Sequence, residues 1–211
     1  MEWKTVGLGI VILGVLLAGM FIVFGNWGTG TIARERYSGM MGDPDRLFIE
    51  EMIPHHQDAV YMGNLALVKA EHKELRQLAE NIIRDQSKEI SLMREWYRAW
   101  YGTDVPVFSD SQGDGMGMMG GGPGRGGNMT DLGRLGSAPQ FDKEFIEQMI
   151  PHHTMAIMMA RMMTQNSGHA EIRELGNSII RSQSAEVELM RGWYLVWYGQ
   201  EPGVASSPAN P

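Results

Sequence analysis

Displaced by 97 positions, the sequence of this chain matches itself: Asp45–Gly102 lies over Asp142–Gly199 without a gap, and 29 of the 58 paired positions are identical. Two copies of one unit must each bury an apolar face, and the simplest cover for one is the other. In the first copy Ile49, Met52, Ile53, Ala59, Val60 and Met62 recur at helical rather than alternating spacing. Asp43-Pro44 offers a cap and a first-turn proline, so a helix is expected from about Asp45 to Val68. A turn falls near Lys69–His72 and, more clearly, at Asn166-Ser167-Gly168. A second helix then runs to Tyr101 or Tyr198, with Gly102 and Gly199 where a terminating glycine belongs. Two helical hairpins that pair their stripes predict an all-α fold, a four-helix bundle made of repeats 45–102 and 141–199.

Outside the repeats the composition changes. Residues 6–24 are 19 positions without a charge, flanked by Trp3 and Trp27. As a helix they would span roughly 28 Å, close to the apolar thickness of a bilayer, so the segment reads as a transmembrane anchor after a cytoplasmic stub at 1–5. A cleavable signal ending near Thr31-Ile32-Ala33 is the rival reading, and Arg34 and Arg36 pull against the orientation that Lys4 favours. Residues 25–44 read as a juxtamembrane linker, 103–140 as a Gly/Met-rich linker without helix or packed core, and 200–211 as a Pro/Ser/Ala tail. A net charge of −7 removes the basic excess that nucleic-acid binding needs. The absence of cysteine excludes disulfides, thiolate metal sites and cysteine nucleophiles.

What remains is imidazole and thioether. The chain has 18 methionines and 6 histidines, and every histidine has a counterpart in the other repeat: His55, His56 and His72 match His152, His153 and His169. Met52, Met62 and Met93 likewise match Met149, Met159 and Met190. At 100° per residue, Met52, His55, His56, Ala59 and Met62 share an arc of about 120°. Gln86, Glu89, Met93, Trp96 and Trp100 share a similar arc on the second helix. Facing arcs of this kind put donor groups into a bundle interior. Thioether suits Cu(I) and imidazole suits copper among others, so a Met/His set points to copper, and to Cu(I) in particular. Thioethers also do not form disulfides, which suits an exported protein.

Each candidate has a bland alternative. The methionines can be ordinary core, because Met fills irregular spaces. His72 and His169, at helix starts, can be turn or capping residues, whereas two adjacent imidazoles at His55-His56 and His152-His153 are harder to explain as core. Trp96, Tyr97, Trp100 and Tyr101 read as bundle core. Met116, Met118 and Met119 can capture copper loosely in the linker, or be drift in a segment with no core. Pro54 and Pro151 precede the histidine pairs and can turn both rings of a pair toward one cavity.

At Met52-Ile53-Pro54-His55-His56-Gln57-Asp58-Ala59, followed by Gln86, Glu89, Met93 and Trp96, the sequence resembles the domain of unknown function 305 family, that of the CopM-type copper-binding proteins. The resemblance spans both units. It implies a ferritin-like bundle, an extracytoplasmic location, and copper held by Met52, His55, His56, Met62 and Met93 with Met149, His152, His153, Met159 and Met190. Repeat two departs from the block at Thr154 and Met155, which puts equal affinity of the two units in doubt. The expected function is a membrane-anchored copper binder that sequesters Cu(I) or passes it to a copper-transport partner, without catalytic residues. A ferritin-like metal oxidase is the enzyme alternative, but a di-iron bundle needs Glu-x-x-His, and Glu51 precedes His55 by four. A metal-free helical interaction module is the third.

Overall fold

The computed structural model describes residues 43–106 and 130–203. The expected membrane segment 6–24 with its stub, most of the juxtamembrane linker, Met116, Met118 and Met119, and the end of the tail lie outside the described residues. Among the described residues no helix is long and apolar enough to cross a membrane.

Five helices and no strand make up the described chain: α1 (Pro44–Lys69), α2 (Lys73–Tyr101), α3 (Leu132–Ser137), α4 (Phe141–Asn166) and α5 (Ala170–Tyr198). The boundaries follow the local chemistry. The Asp43 carboxylate accepts from the Asp45 N–H at 3.0 Å with Pro44 opening α1. Gly102 and Gly199 end α2 and α5 at φ 69°, a left-handed conformation that costs glycine little. Both α1 and α4 run unbroken through Pro54 and Pro151, whose rings face solvent.

Each hairpin closes tightly, but the small residue that allows it changes sides. In repeat one it is Gly63 of α1, where an added Cβ would lie 2.9 Å from Ile83 Cγ1. In repeat two it is Gly176 of α5, where an added Cβ would lie 3.1 Å from the Ala160 carbonyl oxygen. The hairpins then pack along α1 and α4, which run antiparallel. Phe48, Ile49, Met52 and Ile53 at the start of α1 share a core cluster with Ala156, Ala160 and Met163 near the end of α4. Ala59, Met62 and Ala66 share the other cluster with Phe141, Phe145, Met149 and Ile150. A near-twofold axis therefore passes between the repeats, and the bundle forms within one chain.

Two reciprocal clasps tie the repeats together. The buried Asp142 carboxylate, at the start of α4, accepts from the backbone N–H groups of Glu71 and His72 and pairs with His72 Nδ1 at 2.7 Å. Asp45, at the start of α1, does the same for Gly168, His169 and His169 Nδ1, the last at 2.5 Å. Each histidine ring also stacks on a tryptophan of the other repeat, His72 on Trp197 and His169 on Trp100, with centroids 3.6 Å apart.

The expectation of a linker without helix through 140 is corrected by α3. Asp131 caps it by accepting from the Arg134 N–H at 2.8 Å, and Leu135 is buried in the cluster that joins Ala59 and Met62 to Phe141 and Met149. The Gln148 side chain fixes the segment from α4, accepting from the Asp131 N–H and donating to its carbonyl. A cap, one buried leucine and an amide clamp outweigh Gly133 and Gly136 within the helix.

Candidate metal centre

The two core clusters are separated by a polar layer at the middle of the bundle. His55, His56, Gln86, His152, His153 and Gln183 are all at most 3% exposed. The rings of His55 and His152 meet across the near-twofold axis with centroids 3.7 Å apart. His56 turns instead to its own hairpin, where Nε2 lies 2.7 Å from Glu89 Oε2; His153 and Glu186 repeat the arrangement at 2.7 Å. Adjacent imidazoles thus reach different neighbours, one across the repeats and one within its hairpin. This follows from the 100° step between consecutive helical residues rather than from a common cavity behind each proline.

The donors in this layer lack partners. Nδ1 of His55, His56 and His153, both ring nitrogens of His152, both amide atoms of Gln86 and Oε1 of Gln183 are sealed from water without a hydrogen bond. Each such group costs the fold about 1–3 kcal/mol. Burial pushes the His55 imidazole down to about 3, with His56 and His153 adding to the effect, and burial pushes His152 well below its ordinary value. Both rings are therefore neutral and carry a lone pair. At His56 and His153 the carboxylate pairs with Nε2, which leaves the buried Nδ1 as the nitrogen turned to the layer. An imidazole anchored by a carboxylate on one nitrogen and bare on the other is the form in which histidine binds metal.

Sulfur flanks the layer on both sides. Because α1 and α2 are antiparallel and His56 faces Glu89, one turn back along α1 and one turn on along α2 bring Met52 level with Met93. Both are fully buried in one cluster. The same step from His153 and Glu186 brings Met149 level with Met190. The third methionine of each set crosses over: Met62 is buried in the cluster of Met149 and Met190, while Met159, half-buried, packs on the cluster of Met52 and Met93. His72 and His169 sit at the clasps, away from the layer, as N-caps of α2 and α5. Among the described residues no three His, Asp or Glu side chains converge as a metal cluster. Tyr97 is core as expected, with its hydroxyl donating to Glu50, while Trp100 belongs to a clasp.

Sequence reasoning placed Glu89 on the right arc without giving it a role. Its spacing of four from Met93 was the signal, since helical neighbours at that distance face one partner. Asp45 and Asp142 were passed over, although both open a repeat and both survive as aspartate.

The profile of the domain of unknown function 305 family matches residues 45–194. The chain is similar to the structure of CopM in the Cu(I)-bound form, at 48% identity and a TM-score of 0.63 over 74% of this chain and 98% of that one. The Cu(II)-bound form of CopM matches at 47% identity and a TM-score of 0.61, over 73% and 98%. A DUF305 protein from Streptomyces coelicolor, 24% identical with a TM-score of 0.62 over 78% and 98%, shares the fold. Protein L153 of Acanthamoeba polyphaga mimivirus is 39% identical over 49 residues, which is 23% of this chain and 32% of that protein. With its profile matched over well more than half of its length, the chain belongs to the domain of unknown function 305 family.

Proposed function

We propose that this protein binds copper as Cu(I) in the buried imidazole–thioether layer, and sequesters it or hands it on so as to limit its toxicity. The observation that carries this reading is the set of partnerless imidazole nitrogens enclosed between two methionine-bearing clusters. Similarity to CopM, solved with Cu(I), Cu(II) and Ag bound, supports copper as the cargo. The charge balance supports the monovalent state. Each half of the layer has one carboxylate behind its anchored histidine, Glu89 or Glu186, enough to offset one Cu⁺ in a medium where excess charge is expensive. Thioethers are also the sulfur donors that survive outside the cytoplasm, in keeping with a location beyond the membrane and an anchor at 6–24. A reporter enzyme active only outside the cytoplasm, fused after Pro211, tests that location.

The fragment beginning at Arg34 is expected to bind Cu(I) tightly, and replacing His56 and His153 by Ala is expected to weaken binding by about 100-fold or more, beyond the 10–100-fold typical of losing an outer-shell partner. A competition titration against a chromogenic Cu(I) chelator measures it, and unchanged affinity rejects the assignment. Binding free energy, not turnover, is the product here; oxygen uptake on adding Cu(I), above the protein-free rate, would replace this reading with that of an oxidase.

A further inference from the structure

The two repeats part company on the outer side of α4. Positions 155, 158, 159 and 162 are all methionine, whereas their counterparts on α1 are Asp58, Tyr61, Met62 and Leu65. Spacing of three and four residues sets the four thioethers on one arc of about 100°. Their burial is graded. Met158 and Met162 are 56% and 59% exposed, Met155 and Met159 are half-buried, and Met159 packs against the cluster that contains Met52 and Met93. Core packing does not explain side chains that stand in water. On α1 there is no such gradient, because Met62 is fully buried beneath an exposed Tyr61.

We propose that Met155, Met158, Met159 and Met162 form a surface site for a soft monovalent cation, and that the cation passes from it to the buried centre of Met52, His56 and Met93. Methionine has three rotatable bonds, so sulfurs from residues three and four apart can close on one ion across the ~5–6 Å between their Cβ atoms. From Met149 to Asn166 α4 carries no Asp or Glu, so hard divalent cations find no carboxylate on this stretch of the helix. Passage inward exchanges one thioether for another and moves no electron. The second centre, of Met149, His153 and Met190, is approached past Asp58 and Tyr61 instead, so the two centres load at different rates. The surface site stands on its own geometry; the passage inward rests on the copper-binding reading.

The test uses the full chain labelled with ¹³C at its 18 methionine methyl groups, assigned by single Met→Leu variants and titrated with Ag(I), which is soft, monovalent and redox-stable. The expected result is a shift of the Met155, Met158, Met159 and Met162 resonances within the first few equivalents, accompanied by Met52 and Met93. If these four signals stay in place while others move, the surface site is overturned. If the four move and Met52 and Met93 do not, the surface site is upheld and the copper-centre reading fails. The double variant Met158→Leu, Met162→Leu, at exposed positions that leave the core untouched, is expected to load its buried centre about tenfold more slowly with the same final affinity. An unchanged loading rate would overturn the passage.

Discussion

At the scale of single residues, the informative contrast is between histidines that look alike in sequence and do different work. All six occupy equivalent positions, yet His55, His56, His152 and His153 fill the sealed layer, while His72 and His169 bridge aspartate and tryptophan of the opposite repeat. The adjacent pairs were legible because two neighbouring imidazoles seldom both find core partners. The clasp histidines were not, because their partners lie 70 and 124 residues away. Glu89→Gln keeps an acceptor for His56 but removes the charge that makes its ring a strong donor to metal. Cu(I) affinity at that centre is expected to fall by about 10–100-fold with the fold intact, as read by chelator competition and circular dichroism. Acid is expected to weaken the metal-free protein. His55 is held neutral down to about 3 in the fold, while in the unfolded chain it takes up a proton below its ordinary 6.5. Stability is thus fully present above 6.5 and lost as pH falls from there toward 3, by about 1.4 kcal/mol per pH unit for each such imidazole. His152 acts in the same direction, so urea unfolding of apoprotein between pH 7 and 5 should reveal a loss of about 2 kcal/mol from His55, to which His152 adds. A flat profile would mean that these rings are hydrated or paired.

Elements were the most legible scale. Pro44, Gly102 and Gly199 fixed the helix ends to within a residue or two, since capping depends on a few adjacent residues. The short α3 was missed because its support comes from outside its own segment, through the Gln148 side chain and the cluster that takes Leu135. The clasp at the α1–α2 turn was also invisible locally: that turn is held by Asp142, on another helix. Removing this carboxylate leaves two backbone N–H groups and a histidine without their acceptor. Asp142→Ala is therefore expected to lower the unfolding free energy by about 2–4 kcal/mol, combining a lost cap with lost charge-assisted bonds. Denaturant melts would measure it, and a change within 0.5 kcal/mol would show that the turn stands without the clasp.

For the whole molecule, the repeat announced two hairpins but not how they meet. Antiparallel packing of α1 on α4 within one chain puts His55 on His152, and each methionine set borrows a member from the other repeat. Nothing in the period of a single hairpin encodes that register. One hairpin nevertheless contains both halves of a clasp, an aspartate at its start and a turn with a histidine. A chain of residues 43–106 is therefore expected to dimerise, each copy closing the other's turn, and sedimentation velocity at micromolar concentration would show it. A monomer with native helix content would rule this out. In the intact chain, Asp45 meets Gly168 and His169 across 123 and 124 residues. During synthesis the first hairpin emerges well before Gly168 and His169, so this clasp closes only after the turn between α4 and α5 has been made. Until then the nascent chain carries an exposed apolar seam, the kind of surface on which general chaperones act.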